Sequence, residues 1–218
     1  MLSQYKTVYQ GEEAEIIEKK SRFIATVKPI KSEEEAVAFI ESLKKKYWNA
    51  THNCSAYVIG EQFQIQRYSD DGEPSGTAGK PMLDVLLGEE IHDVAVVVTR
   101  YFGGTLLGTG GLVRAYSGAT KAGLLASKVI VKMHGQKLTV QTDYTGLGKI
   151  QYILGQRGIP ILHSEYTDKV DLDILLPEEY IKSVMSEITE GTNGQAVMEL
   201  KEECYFADID GEMKIFED

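Results

Sequence analysis

The chain has 218 residues, 43% of them hydrophobic and 26% charged, and a formal net charge of −10. This is the composition of an ordinary globular protein, with no low-complexity tract and no apolar run near the roughly 20 residues that a membrane-spanning helix needs. Cys54 and Cys204 alone cannot build a disulfide framework or a metal cluster, and the N-terminal Met-Leu-Ser-Gln-Tyr lacks an apolar signal core, so a cytoplasmic protein with no membrane partner is expected.

The length exceeds the roughly 100 to 150 residues of a typical domain, and the charge divides in the same sense. Residues 1–135 carry 16 Lys+Arg against 16 Asp+Glu, whereas residues 136–218 carry 7 against 17. Two domains are expected, 1–134 and 135–208, followed by an acidic tail over 209–218 that is free to fray. A local basic face on the first can meet a polyanion, which the second as a whole repels.

In chain order, Glu12 to Ser21 leads into Arg22 to Val27, two β-prone runs joined by a charged turn, which suggests a meander with Phe23, Ala25 and Val27 on one face. Ser32 followed by Glu35 is a capping-box signature, and Ala36, Phe39, Ile40, Leu43 and Tyr47 follow at helical spacing. The terminal Lys44-Lys45-Lys46 suits the negative pole of that helix. A strand over Thr51 to Ile59 places His52, Cys54 and Ala56 on one face. A nucleophile-and-base pair can be read there, against the plainer reading of a buried structural cysteine.

A second short strand, Phe63 to Arg67, leads to Asp70-Asp71-Gly72-Glu73-Pro74-Ser75-Gly76-Thr77-Ala78-Gly79-Lys80-Pro81. Asp70, Asp71 and Glu73 are hard-oxygen groups without the spacing of a calcium loop, and turn-making with capping of the next helix accounts for them equally. That helix begins near Pro81 and stops at Gly88.

Val94 to Val98 reads as a strand buried on both faces. Gly103, Gly104, Gly108, Gly110 and Gly111 follow, and a helix then runs to about Ala126. Such a glycine loop can cradle an anion on backbone N–H groups, with Arg100 and Arg114 at its flanks, or can simply let a helix pack close to a sheet. Gly79-Lys80 is followed by Pro81, so Walker A is absent, and Val113 breaks the dinucleotide fingerprint. From Lys137 on, strand, helix, two strands, helix and strand spell βαββαβ, a ferredoxin-like pattern. Asp171 and Asp173 alternate with Val170, Leu172 and Ile174, so one face of that strand meets water.

The stretches Asp70 to Pro81, Arg100-Tyr101-Phe102-Gly103-Gly104-Thr105-Leu106-Leu107-Gly108 and Thr51-His52-Asn53-Cys54 resemble the hallmark stretches of the IMPACT family. The resemblance covers the whole chain. It implies an α+β architecture in which a first domain like ribonuclease PH and domain IV of elongation factor G precedes a ferredoxin-like domain resembling domain V of that factor. It also implies a setting in translation, since domains IV and V work on the ribosome. Eukaryotic relatives are regulators that compete for the activator of a translation-controlling kinase, and bacterial relatives have been proposed to bind nucleic acid.

The leading expectation is a binding module that contacts RNA or a ribosome-associated protein through Arg67, Lys80, Arg100, Tyr101, Phe102, Arg114 and the loop glycines 103, 104, 108, 110 and 111. Arg100 has a structural alternative, a salt bridge to Asp70 or Asp71. A second hypothesis is a hydrolase using Asp70, Asp71 and Glu73 with His52 or a metal, and the glycine loop as the oxyanion or phosphate site. A third is a scaffold that offers the acidic second domain to a basic partner. No cofactor or resident metal is expected.

Overall fold

The computed structural model describes residues 1–216 and separates two units, Tyr5–Val131 and the chain from Lys132 onward together with Met1–Gln4. In the first unit, β1 (Gln4–Gln10) is followed by a hairpin of β2 (Glu13–Glu18) and β3 (Ser21–Pro29), then by α1 (Glu33–Lys46). Next come β4 (His52–Ile59), β5 (Ile65–Ser69), α2 (Gly79–Gly88), β6 (Ile91–His92), β7 (Val94–Tyr101) and α3 (Thr109–Ala126).

β7 lies at the centre of a five-stranded sheet ordered β2-β3-β7-β4-β5, antiparallel at every pairing. It is flanked by two strands that run alike, β3 and β4, which α1 joins. Its alternation explains why it is apolar throughout. Val94, Val96 and Val98 enter a core with residues of α2 and α3, while Ala95 and Val97 meet Ala36, Phe39 and Leu43 of α1 on the other side. Phe23, Ala25 and Val27 of β3, and Cys54, Ala56 and Val58 of β4, share the α2/α3 face. The start of α1 follows its capping signature: Ser32 Oγ accepts from Glu35 N at 3.3 Å and Glu35 Oε2 from Lys31 N at 2.8 Å.

The second unit contains most of β8 (Lys128–Thr142), then α4 (Tyr144–Gln156), β9 (Ile161–Tyr166), β10 (Val170–Pro177), α5 (Ile181–Gly191), β11 (Val197–Ile209) and β12 (Glu212–Phe216). β11, β8, β10 and β9 lie side by side, all antiparallel. Numbered within the βαββαβ run this is the order 4-1-3-2, the ferredoxin-like arrangement. Leu138, Val140, Leu172 and Ile174 pack beneath Ile150 and Leu154 of α4 and Val184 and Ile188 of α5.

Three elements differ from expectation. Residues 209–216 are not a fraying tail: β12 pairs with β11 from Tyr205↔Phe216 to Ile209↔Glu212. Asp210 and Gly211 both have positive φ, 57° and 88°, as a tight two-residue hairpin turn requires. Secondly, β8 is one strand of 15 residues that passes straight through Gly135. A Cβ at Gly135 would lie 2.0 Å from Leu176 O, so glycine is there for close strand approach. Thirdly, β1 adds a strand before the meander and pairs in parallel with β6.

Candidate functional site

One end of the first unit's sheet collects most of the chemistry. On the α2/α3 face, Arg100 of β7 stands directly between Phe23 of β3 and His52 of β4. The loop after β5 covers this row because Asp70 gathers it: its Oδ1 accepts from Ala78 N at 3.1 Å and Gly79 N at 2.8 Å, and its Oδ2 from Gly76 N at 2.8 Å. That fold-back turns Glu73 inward. Its Oε1 accepts from Arg100 Nη1 at 2.5 Å and from the Tyr116 hydroxyl of α3 at 2.8 Å, and its Oε2 lies 3.8 Å from His52 Nε2.

Arg100 and Glu73 are both buried. The guanidinium lies 5.4 Å from the Phe23 ring and 5.6 Å from that of Phe102, and its Nη2 reaches Ser21 Oγ at 3.5 Å. The two loops therefore converge, and Arg100 takes the structural role with Glu73 as its partner in place of Asp70 or Asp71. Asp70 is occupied with backbone amides. Asp71 accepts from Asn53 N at 2.6 Å and lies 3.5 Å from Lys44.

The same packing surrounds the hydrolase candidates. Burial pushes the Cys54 thiol up, with the Tyr116 hydroxyl opposing and the neighbouring carboxylates reinforcing the rise, so the thiolate needed for attack is suppressed. Its Sγ donates to Asp70 O at 3.0 Å, and His52 Nδ1 is 2.8 Å from Asp71 O. Burial likewise pushes the Tyr116 hydroxyl up. The oxygens of Asp70, Asp71 and Glu73 are turned to separate partners, and among the described residues no group of three His, Cys, Asp or Glu is arranged to hold a metal ion.

Of the residues expected to bind, Arg67 is 3.5 Å from Glu33 and Lys80 pairs with Asp84 one helical turn on, so neither joins the others. Tyr101 donates to Asn49 Oδ1 at 3.0 Å and lies under Arg22. Phe102 is half-exposed, with its N–H donating to Thr51 Oγ1. Gly103 marks a close approach: a Cβ there would be 2.1 Å from Lys20 C, and its N–H donates to Ser21 Oγ at 3.1 Å. Gly104, Gly108 and Gly110 are exposed, and Gly111 lies against Leu107. Gly108, at φ 72°, opens α3 with no side-chain cap, leaving the first-turn N–H groups uncapped by any side chain, and Arg114 Nη1 reaches back to the Gly110 position.

The close approach at Gly103 adds residues that were not in the expected binding set. Lys19 and Lys20 form the two-residue β2–β3 turn, exposed and both at positive φ, 44° and 69°. Trp48 is 80% exposed in the segment that Tyr101 and Phe102 hold through Asn49 and Thr51. The charged turn was visible in the chain, but its neighbourhood to the glycine loop was not.

In the second unit, the acids of β10 have local partners. Asp173 lies 2.8 Å from Lys137 Nζ and accepts from Thr139 at 2.9 Å, and Asp171 accepts from Gln141 at 3.0 Å. No helix among the described residues is long and apolar enough to cross a membrane.

The model of the Impact N-terminal domain matches residues 19–124, and that of a domain of unknown function, DUF1949, matches residues 140–195. IMPACT family member YvyE of Bacillus subtilis (strain 168) is 44% identical over 196 residues, spanning 90% of either chain. The chain belongs to the IMPACT family. A second member, YigZ of Escherichia coli (strain K12), is 39% identical over 178 residues, 81% of this chain and 87% of its own. A crystal structure described as that of a hypothetical protein superposes with a TM-score of 0.58 at 34% identity, covering 93% of this chain and 99% of that one. The sheet end built from Lys19–Ser21, Thr51–Cys54, Glu73 and Arg100 lies wholly within the Impact N-terminal domain match.

Proposed function

We propose that this IMPACT family chain is a binding protein of the translation apparatus, whose first unit contacts structured RNA on or near the ribosome through the rim of the sheet end. Arg100 and Glu73 hold that end rigid, and the contacts come from what surrounds them: Lys19, Lys20 and Arg114 toward phosphates, Trp48 and Phe102 toward exposed bases. Translation as the setting rests on what the family resemblance implies.

The observation that carries the reading is the conformation of Lys19 and Lys20. A two-residue hairpin turn with positive φ at both positions favours Asn-Gly or Asp-Gly, and a side chain in the left-handed region costs about 1 kcal/mol per residue. This chain places two lysines there, and among the described residues neither has an ion-pair or hydrogen-bond partner that would offset the strain. Local strain retained beside exposed aromatics motivates a functional assignment.

A fluorescence anisotropy titration of the full chain against a labelled structured RNA, repeated across a salt series, tests it. Charge reversal in Lys19→Glu/Lys20→Glu is expected to weaken binding and to lower the slope of log affinity against log salt by about one for each phosphate that is no longer neutralised. Binding that is insensitive to salt and to this double variant would reject the RNA reading and favour a protein partner.

A further inference from the structure

The second unit ends its sheet on an uncovered edge. β9 pairs with β10 on one side, and among the described residues no strand pairs with its other side, which leaves a row of backbone N–H and C=O groups able to accept another strand. The devices that usually blunt such an edge are sparse, because Ile-Leu-His-Ser-Glu-Tyr contains neither proline nor lysine. A bulge between Asp173 and Ile174 bends the pairing at the Leu162 end, but His163 to Tyr166 stay in unbroken register with Asp173 to Val170.

Alternation sorts the side chains of this edge. His163 and Glu165 stand opposite Asp173 and Asp171 on the face away from the helices, whereas Ser164 and Tyr166 stand opposite Leu172 and Val170 of the core. Leu162 and Tyr166 are 37% and 56% exposed, and just beyond them the exposed Tyr144 donates its hydroxyl to Thr167 O at 2.7 Å. Among the described residues Glu165 has no hydrogen-bond or ion-pair partner, and its cross-strand neighbour is another carboxylate. Like charges directly opposite each other are destabilising, so Glu165 lacks a donor that its own sheet does not supply.

We infer that β9 docks antiparallel on β9 of a second copy of this chain, about a two-fold axis at Ser164. In that register the strand complements itself: His163 meets the partner's Glu165 and Leu162 meets the partner's Tyr166, each pair occurring twice by symmetry. Other registers lose the match. An axis at Glu165 sets carboxylate against carboxylate, one at His163 sets Ile161 against a carboxylate, and one between His163 and Ser164 does the same to Leu162. An axis between Ser164 and Glu165 leaves the imidazole and the carboxylate unpaired. At Ser164, Glu165 gains the donor it lacks, two exposed apolar side chains leave water, and the edge is consumed, because a two-fold contact closes on itself.

The test is sedimentation equilibrium of the full chain over a concentration series, where a reversible monomer–dimer equilibrium is expected. His163→Glu sets carboxylate against carboxylate at both symmetric pairs and is expected to weaken the dimer about tenfold. His163→Glu/Glu165→Lys restores opposite charges in the reverse sense and is expected to recover most of that loss. Both positions are exposed, so these substitutions leave the fold in place. Glu212→Lys, at an exposed position on β12, is expected to dimerise as the parent does. A parent that stays monomeric throughout, a dimer indifferent to His163→Glu, or a double variant no tighter than the single one would overturn the proposal.

Discussion

Glu73 and Arg100, 27 residues apart in sequence, meet as a buried ion pair at 2.5 Å whose side chains are 3% and 6% exposed. The pair ties the loop after β5 to the central strand, and the Tyr116 hydroxyl on the same carboxylate oxygen adds α3 to the knot. Removing one partner leaves an uncompensated buried charge, whereas replacing both with apolar groups of similar volume is often close to neutral. Arg100→Ala is therefore expected to destabilise the chain by about 3 to 5 kcal/mol, and Glu73→Leu/Arg100→Met to recover much of that loss. Urea denaturation of the two variants measures it. Equal stability of Arg100→Ala and the parent would remove the pair from its structural role.

Cys54 is fully buried and its thiol is pushed up, whereas Cys204 is only partly buried. A thiol-specific reagent is expected to modify Cys204 first in the native chain and to reach Cys54 only as the chain unfolds in denaturant. Rapid modification of native Cys54 would reopen the nucleophile reading.

Burial alone would push the Asp173 carboxyl up, but hydrogen bonds from Lys137 and Thr139 outweigh it and hold the carboxyl below its ordinary value of 3.8. The folded chain thus binds this proton less readily than the unfolded one. The stability it contributes is complete above the unfolded value and is lost as pH falls through about 4 toward the folded value. Asp173→Asn is expected to flatten the acid limb of a stability-against-pH curve below about pH 4 and to leave its shape near neutrality unchanged. An acid limb as steep as the parent's would contradict this.

Much of the fold was legible because periodicity and capping chemistry are local. The Val94–Val98 run, the Ser32/Glu35 box and the alternation of β10 each announce their element within a few residues. The hairpin turn at Asp210-Gly211 was equally local, but the acidic composition around it suggested a tail. The candidate site was less legible, because its geometry is tertiary. Glu73 reaches Arg100 only after Asp70 has gathered three backbone amides, and nothing in the spacing of the three acids says which one turns inward. Lys19 and Lys20 were legible as part of a charged turn, but lysine gives no local sign of the positive φ they adopt, and their place beside the glycine loop is tertiary.

The most direct test of the account separates stability from binding at that turn. Lys19→Asn/Lys20→Gly supplies the residues that the backbone prefers, so it is expected to raise stability by about 1 to 2 kcal/mol while removing two phosphate-facing charges. The measurement is co-sedimentation of this variant and the parent with ribosomes from the same cell type, at low and moderate salt. The account predicts that the parent sediments with ribosomes in a salt-sensitive manner and that the more stable variant sediments less. Undiminished co-sedimentation of the variant at both salts, or none by the parent at low salt, would contradict it.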